Sequence, residues 1–268
     1  MIKWDTCKFF NSSLKEKIRR EKYPLLFFGI VVSVKLYYLV DFILILLMGK
    51  AVADDSVRNL AGLCLFHSYS VVSLLFDCIV FLAFIIRHEA SHTPDGFKEN
   101  IFPLLVVFLP VVGFFLLNIP QIRDIVPPYP EKVHIFLSQF SVHYLFYVNL
   151  TGLFLGFCGA AFSIWAIIFS KRSFGLRVAV RKFIDKGPYK VIRHPLYLGE
   201  IIHLSGIAIL SGTPVGVWLF IISVLMQIVR AAIEERKFIQ CVPEYSAYRN
   251  RTGFLIPKLN MFRHRIRY

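Results

Sequence analysis

Residues Gly187–Glu200 read GPYKVIRHPLYLGE, and they join a basic, turn-rich segment to an apolar one. The Gly-Pro pair at the start of this stretch is a turn signal. Pro195 disfavours the helical conformation for His194, the residue before it. The sequence therefore predicts that local order ends at His194 and that a new, apolar element begins at about Leu196.

An apolar hairpin follows this turn. The chain is apolar over Leu196–Leu210, breaks at SGTPVG, and is apolar again to Val229. Because a helical hairpin in a bilayer returns to the face where it began, polar groups at its two ends are predicted to lie together. Those groups are His194, Tyr197 and Glu200 at the start, and Arg230, Glu234 and Glu235 at the end. Their convergence at one membrane face indicates a site.

The composition favours a multi-spanning helical membrane protein. The chain has 268 residues, of which 56% are hydrophobic, and it contains 27 Phe. Its apolar runs are about 20 residues long, which is enough to cross a hydrocarbon core of ~30 Å. The net charge of +14 is typical of basic residues that flank membrane spans, so we predict membrane lipids as partners and no nucleic acid.

The predicted fold is an all-α, polytopic membrane bundle of about six transmembrane helices. The spans cover 25–48, 60–86, 101–119, 141–170 and the two arms of the hairpin. Basic residues cluster before the first span, in the loop 171–193 and after Arg230, so both termini and this loop are predicted to be cytoplasmic. The predicted location is a bacterial inner membrane or the endoplasmic reticulum. Residues 1–140 hold the basic arm and three spans, and residues 141–268 hold the fourth span, the basic loop, the hairpin and the C-terminal segment.

Two histidine patterns raise the question of a metal site. RHEASH, Arg87–His92, contains H-E-x-x-H, which would place two histidines on one face of a helix. The sequence TPDG follows at once and ends such a helix, so a solvated loop is the better interpretation. Glu200 and His203 are spaced as in di-iron membrane oxidases, but those enzymes need more clustered histidines. We therefore predict no metal site.

An ordered series of motifs occupies the C-terminal third of the chain. It consists of GPYxxxRHPxYxG, the hairpin, R-x-x-x-E-E, PEYxxYxxRT and a final Ile256-Pro257. The series resembles the isoprenylcysteine carboxyl methyltransferases, an integral-membrane family related to the phospholipid methyltransferases. This resemblance implies an enzyme that uses S-adenosylmethionine, which it binds with cytoplasmic loops.

The resemblance also implies roles for single residues, and Arg230, Glu234 and Glu235 are the predicted catalytic set. Arg230 would meet the acceptor carboxylate, which its planar fork suits, and one of the two glutamates would hold the cofactor. Arg230 and Glu234 are one helical turn apart and face the same way. The predicted cofactor contacts are both glutamates with Arg181, Lys182, Phe183, Ile184, Gly187, Tyr189, Arg193, His194, Pro195, Leu196 and Tyr197. The family usually has histidine at the position of Arg181, and a glycine is common at Val242-Pro243.

The predicted reaction is methyl transfer to a lipophilic acceptor that enters from the bilayer. The first candidate is the carboxylate of a prenylated cysteine or a similar lipid-like acid, because an anionic nucleophile needs mainly alignment. Alternatives are a phospholipid amine N-methyltransferase, a nicotinamide-dependent sterol-type reductase and a non-catalytic protein of the same fold. Sterol reductases tend to carry Asp-Glu and K-Y-G after the hairpin, where this chain has Glu234-Glu235 and Pro-Glu-Tyr.

Overall fold

The computed structural model describes residues 26, 29–37, 40, 74–80, 82, 96–116, 142–170, 173, 178–180 and 183–258. The predictions for the basic N-terminal arm, the RHEASH segment, Arg181 and Lys182 lie outside these residues. The described part is mainly helical and contains no strand, and an isolated parallel bridge joins Ile192 to Gly253. The all-α class is therefore confirmed for this part of the chain.

From residue 96 onward the long and short helices follow one another in a simple order. They are α1 (Gly96–Asn100), α2 (Phe102–Leu116), α3 (Val142–Ser170), α4 (Pro195–Ser211), α5 (Pro214–Cys241) and α6 (Tyr245–Arg251). A 3-10 turn over Gly187–Lys190 precedes α4. Residues 29–37 and 74–80 are also helical and fall within the predicted first and second spans.

Two of the described helices are long and apolar enough to cross a membrane. They are Tyr147–Ser170, within α3, and the whole of α5, while α4 and Phe102–Phe114 are shorter apolar helices. At 1.5 Å per residue the 28 residues of α5 span about 42 Å, more than a hydrocarbon core of ~30 Å. The predicted total of six spans stays a prediction, because most of the first two spans lies outside the described residues.

The predicted hairpin is formed by α4 and α5, and local sequence explains its turn. Gly212 ends α4 with φ +57°, a left-handed conformation that glycine adopts at no steric cost. Thr213 then caps α5, because its hydroxyl accepts a hydrogen bond from the Gly216 amide at 3.1 Å. Pro214 occupies the first turn of α5, where its missing N–H is not needed.

Helices α3 and α4 approach each other closely along a row of small residues. A Cβ on Gly206 would lie 2.4 Å from the Gly152 carbonyl oxygen and 2.5 Å from the Gly156 nitrogen. A Cβ on Gly159 would lie 2.2 Å from the His203 nitrogen. These glycines therefore form a packing surface between α3 and α4. It fixes the position of α4, and with it the start of the hairpin.

Ion pairs join the other helices to this core. Lys35 in the segment 29–37 donates to Asp77 in the segment 74–80, and this pairing offsets the cost of placing each charge at membrane depth. The neighbouring Phe76 ring lies 5.1 Å from the ring of His203 on α4. Lys237 on α5 donates to Glu99 on α1. These contacts hold the described N-terminal segments against the hairpin.

Candidate functional site

The two ends of the hairpin meet, as the sequence predicts. Pro195 is the first residue of α4, and His194 stays outside the helix at φ −121°, ψ 58°. Tyr197 Oη donates to Glu234 Oε1 at 2.5 Å. His194 Nε2 lies 3.3 Å from Glu235 Oε1. The first turn of α4 is therefore in direct contact with the acidic pair of α5.

Glu235 is enclosed by basic side chains. Its Oε1 accepts a hydrogen bond from Arg193 Nε at 2.5 Å and lies 3.3 Å from His194 Nε2. Its Oε2 lies 3.3 Å from Arg249 Nε. The Glu235 side chain is only 8% exposed. With both oxygens engaged inside the protein, this carboxylate has little capacity left for a ligand.

Arg193 connects this carboxylate to the segment that follows α6. Its Nη1 donates to the carbonyl oxygen of Thr252 at 2.5 Å and to that of Arg249 at 3.0 Å. Its backbone amide donates to the Gly253 carbonyl oxygen at 2.8 Å. We refer to this group as the arginine clamp, which consists of Arg193, Glu235, Arg249 and Thr252.

Glu234 has different surroundings from Glu235. Its side chain is 18% exposed, about twice the exposure of its neighbour. The Tyr197 hydroxyl binds its Oε1, and Arg230 Nε lies 3.7 Å from the same oxygen, too far for a hydrogen bond. Glu234 therefore keeps more capacity to bind a ligand than Glu235 does.

Arg230 lies between aromatic and acidic groups and is only 1% exposed. Its guanidinium carbon lies 4.8 Å from the centroid of the Tyr197 ring, within the range of a cation–π interaction. The ring of His194 also stacks on the Tyr197 ring, at 5.4 Å with an angle of 4° between the planes. The charge of Arg230 interacts with the carboxylates of Glu200 and Glu234. The hairpin thus brings one basic and two acidic side chains together.

A polar pair lies deeper between the two arms of the hairpin. Gln227 Nε2 donates to Glu200 Oε2, and Gln227 is 3% exposed. The other polar atom of its carboxamide, Oε1, is buried and meets no hydrogen-bond donor among the described residues. Gln227 precedes Arg230 by three residues and Glu234 by seven, so all three side chains share one face of α5.

Aromatic side chains hold the short helix α6 beside the site. The Phe183 ring lies 5.8 Å from that of Tyr245 and 4.9 Å from that of Tyr248. Tyr248 Oη donates to the Tyr189 carbonyl oxygen at 2.7 Å. Burial raises the pKa of Tyr189, Tyr245 and Tyr248 well above that of an exposed phenol, so all three stay protonated. Phe183 and Tyr189, two predicted cofactor contacts, are therefore parts of the cluster that anchors α6.

Other predicted cofactor contacts have clear packing roles. Gly187 has φ +57°, and a Cβ there would lie 2.3 Å from the Phe169 ring, so the turn itself requires glycine. Leu196 belongs to the hydrophobic core with Tyr197, and Ile184 is half-buried. The predictions that these residues touch a cofactor stay predictions.

The comparison with known families bears on this hairpin and its acids. Residues 148–242 match the phospholipid methyltransferase family. That family includes the isoprenylcysteine carboxyl methyltransferases, so the resemblance drawn from the motifs is confirmed at family level. Its members are integral-membrane methyltransferases that generally use S-adenosylmethionine. The match covers α4, α5 and most of α3, so the predicted hairpin lies within the part of the chain that is similar to this family. A search of curated proteins found no match to the chain.

The sequence predicts no role in the site for three residues that the structure places there. They are Gln227, Arg249 and Thr252. A usable signal existed only for Gln227, an amide in an apolar run that is in helical register with Arg230 and Glu234. Arg249 and Thr252 both fall within the motif PEYxxYxxRT, Thr252 as its last residue, but their partners cannot be predicted from its spacing.

Proposed function

We propose that this protein transfers the methyl group of S-adenosylmethionine to a lipophilic acceptor at the cytoplasmic face of a membrane. One observation carries the proposal: the two adjacent glutamates of α5 have different surroundings. Glu235 is enclosed by the arginine clamp. Glu234 is more exposed and accepts a hydrogen bond from the Tyr197 hydroxyl. An acid in this setting is what a cationic, water-soluble cofactor requires at a membrane face.

The residues around Glu234 fit the chemistry of S-adenosylmethionine. When bound, the cofactor supplies a methyl group on a positively charged sulfur, and it also carries an ammonium group and a ribose. Glu234 would bind the ammonium group or the ribose hydroxyls, and the Tyr197 hydroxyl orients that carboxylate.

The first candidate acceptor is the carboxylate of a prenylated cysteine or a similar lipid-like acid. Arg230 supports this choice, because its fork can bind a carboxylate through two hydrogen bonds. Its contact with Glu234 is an ion pair at 3.7 Å and not a hydrogen bond. A carboxylate needs no proton removed before it attacks, so alignment by Arg230 is the main requirement.

A phospholipid amine is the second candidate acceptor, and the balance of charge favours it. Arg230 interacts with both Glu200 and Glu234, so two acidic side chains accompany one basic side chain at this place. Such a group attracts an ammonium headgroup and repels a free acid. A carboxylate such as that of Glu200 also suits the proton that an ammonium must lose before its nitrogen can attack.

Calorimetry with S-adenosylmethionine and its demethylated product tests the proposal on detergent-solubilised protein. Glu234→Gln should weaken the binding of S-adenosylmethionine about 10- to 100-fold, because it removes a charged hydrogen-bond partner of the ligand. Asp185→Asn is the matched control, since Asp185 is 43% exposed and pairs with Arg251 outside the hairpin. Absence of binding to the folded wild type, or binding of reduced nicotinamide in its place, would contradict the proposal.

A further inference from the structure

We propose that Glu200 and Gln227 form a subsite for a hydrogen-bond-donating group of the acceptor, an N–H that lies beside or at the methylated group. The N–H has two possible sources, the amide of an acylated cysteine acid or the amine of a lipid headgroup. The inference rests on the proposed methyltransferase function and specifies what the hairpin recognises in the acceptor.

The orientation of the Gln227 carboxamide follows from its contact with Glu200. In the structure the amide nitrogen of Gln227 faces Glu200 and donates a hydrogen bond to its Oε2. The carbonyl oxygen Oε1 then faces away from Glu200. This oxygen is buried, and no described residue donates to it. A ligand that carries an N–H therefore finds an acceptor already in place.

The position of the pair suits an acceptor that arrives from the bilayer. Gln227 lies seven residues before Glu234 on the same face of α5, or about 10 Å along the helix toward the membrane interior. Glu200 lies one turn after Tyr197 on α4. Along α5, Arg230 lies between Gln227 and Glu234. An acceptor that reaches Arg230 from the lipid side therefore passes the Glu200–Gln227 pair.

A purely structural hydrogen bond between the arms would be the simplest alternative, since polar side chains often join membrane helices. Two features go beyond that role. A carboxylate at this depth is more costly than a neutral partner, and Gln227 Oε1 is left with no donor in the described part of the chain. Ser223, on the same face of α5, shows the ordinary arrangement, because its hydroxyl donates to the Leu219 carbonyl oxygen at 2.6 Å.

A matched pair of acids tests the first source of the N–H. N-acetyl-S-farnesylcysteine carries an amide beside its carboxylate, and S-farnesylthiopropionic acid lacks that amide. The wild type should methylate the first with a kcat/KM at least about tenfold higher than the second. Gln227→Leu should reduce this ratio to less than about threefold. A defect in packing alone would lower both values equally and leave the ratio unchanged.

Vesicles of phosphatidylethanolamine test the second source of the N–H, the amine of a lipid headgroup. If the amine is the acceptor, Gln227→Leu should raise the KM for this lipid about tenfold and change kcat less than about threefold. Glu200→Gln, which keeps the shape of the side chain, should also raise the KM for this lipid and serves if Gln227→Leu does not accumulate. It should lower kcat as well, because the amide cannot take the proton of the ammonium. Ser223→Ala is the matched control and should change neither the ratio of the acids nor the KM for the lipid.

Cofactor binding, measured on the same preparations, separates the two proposals. Unchanged S-adenosylmethionine affinity in Gln227→Leu and Glu200→Gln, with the acceptor effects above, supports the subsite. If Gln227→Leu changes neither the ratio of the two acids nor the KM for the lipid, or if none of these acceptors is methylated, the subsite is refuted. Either result leaves the methyltransferase proposal intact. A loss of cofactor affinity in both variants also overturns it, because the subsite acts on the acceptor alone. Failure of the wild type to bind S-adenosylmethionine contradicts the proposed function itself.

Discussion

Replacement of Arg193 by alanine should release the segment after α6 from the hairpin. The guanidinium of Arg193 binds Glu235 and the backbone carbonyl oxygens of Arg249 and Thr252. The side chains of Arg193 and Glu235 are each 8% exposed. The variant leaves the Glu235 carboxylate buried with His194 and Arg249 beside it.

The expected cost follows from these contacts. Removal of one partner from a buried ion pair costs about 3–5 kcal/mol. The lower value applies here, because Arg249 Nε stays 3.3 Å from the second oxygen of Glu235. A loss of about 3 kcal/mol makes opening of the segment roughly 100-fold more frequent.

Hydrogen exchange at the Gly253 amide measures this opening, because that amide donates to the Val191 carbonyl oxygen across the junction at 3.1 Å. Its exchange rate should rise roughly 100-fold in Arg193→Ala. Arg251→Ala is the matched control, since Arg251 and Asp185 form a pair with 61% and 43% exposure. An exposed pair contributes about 0.2–1 kcal/mol, so exchange in the control should change no more than about fivefold. Equal exchange rates in the two variants would refute the assignment of Arg193 to a clamp.

Two further predictions concern the packing and the pH dependence of the fold. Gly206→Ala should lower the free energy of unfolding by about 3 kcal/mol, because the new Cβ would lie 2.4 Å from the Gly152 carbonyl oxygen. Gly29→Ala is the control, since a Cβ on Gly29 meets no atom within 4 Å. Equal thermal stability of the two variants in detergent would contradict the close approach of α3 and α4. The pKa values of Tyr245 and Tyr248 are raised in the folded protein, so the contribution of these residues to stability is complete below about pH 10 and is lost as the pH rises further. Tyr248→Phe should therefore flatten the fall in Tm above about pH 10. An unchanged dependence of Tm on pH in this variant would contradict the prediction.

The hairpin could be predicted because its signals are local. Pro195 fixes where α4 begins, and Gly212 with Thr213 fixes where one helix ends and the next begins. The apolar runs between these signals give the lengths of both arms. Convergence of the two ends then follows from the geometry of any hairpin, and the contact between Tyr197 and Glu234 confirms it.

The different surroundings of Glu234 and Glu235 could not be predicted from the sequence. Adjacent residues on a helix point about 100° apart, so spacing shows that Glu234 and Glu235 differ but not which one faces the interior of the protein. Arg193 was assigned to the cofactor because it lies in the motif RHP. Its contact with Thr252 joins residues 59 positions apart in the sequence, and no local pattern encodes such a pairing.

The arginine clamp also sets the order of events during biosynthesis. Arg193 precedes α4 and Thr252 follows α5, so both arms of the hairpin lie between the two halves of the clamp. Since a chain is made from its N-terminus, Arg193 leaves the ribosome long before Glu235 and Thr252 exist. The acids at the end of α5 are therefore ordered only after both membrane helices have been inserted and Thr252 has emerged. A nascent chain that stalls within α5 carries the RHP motif but cannot close the site around it.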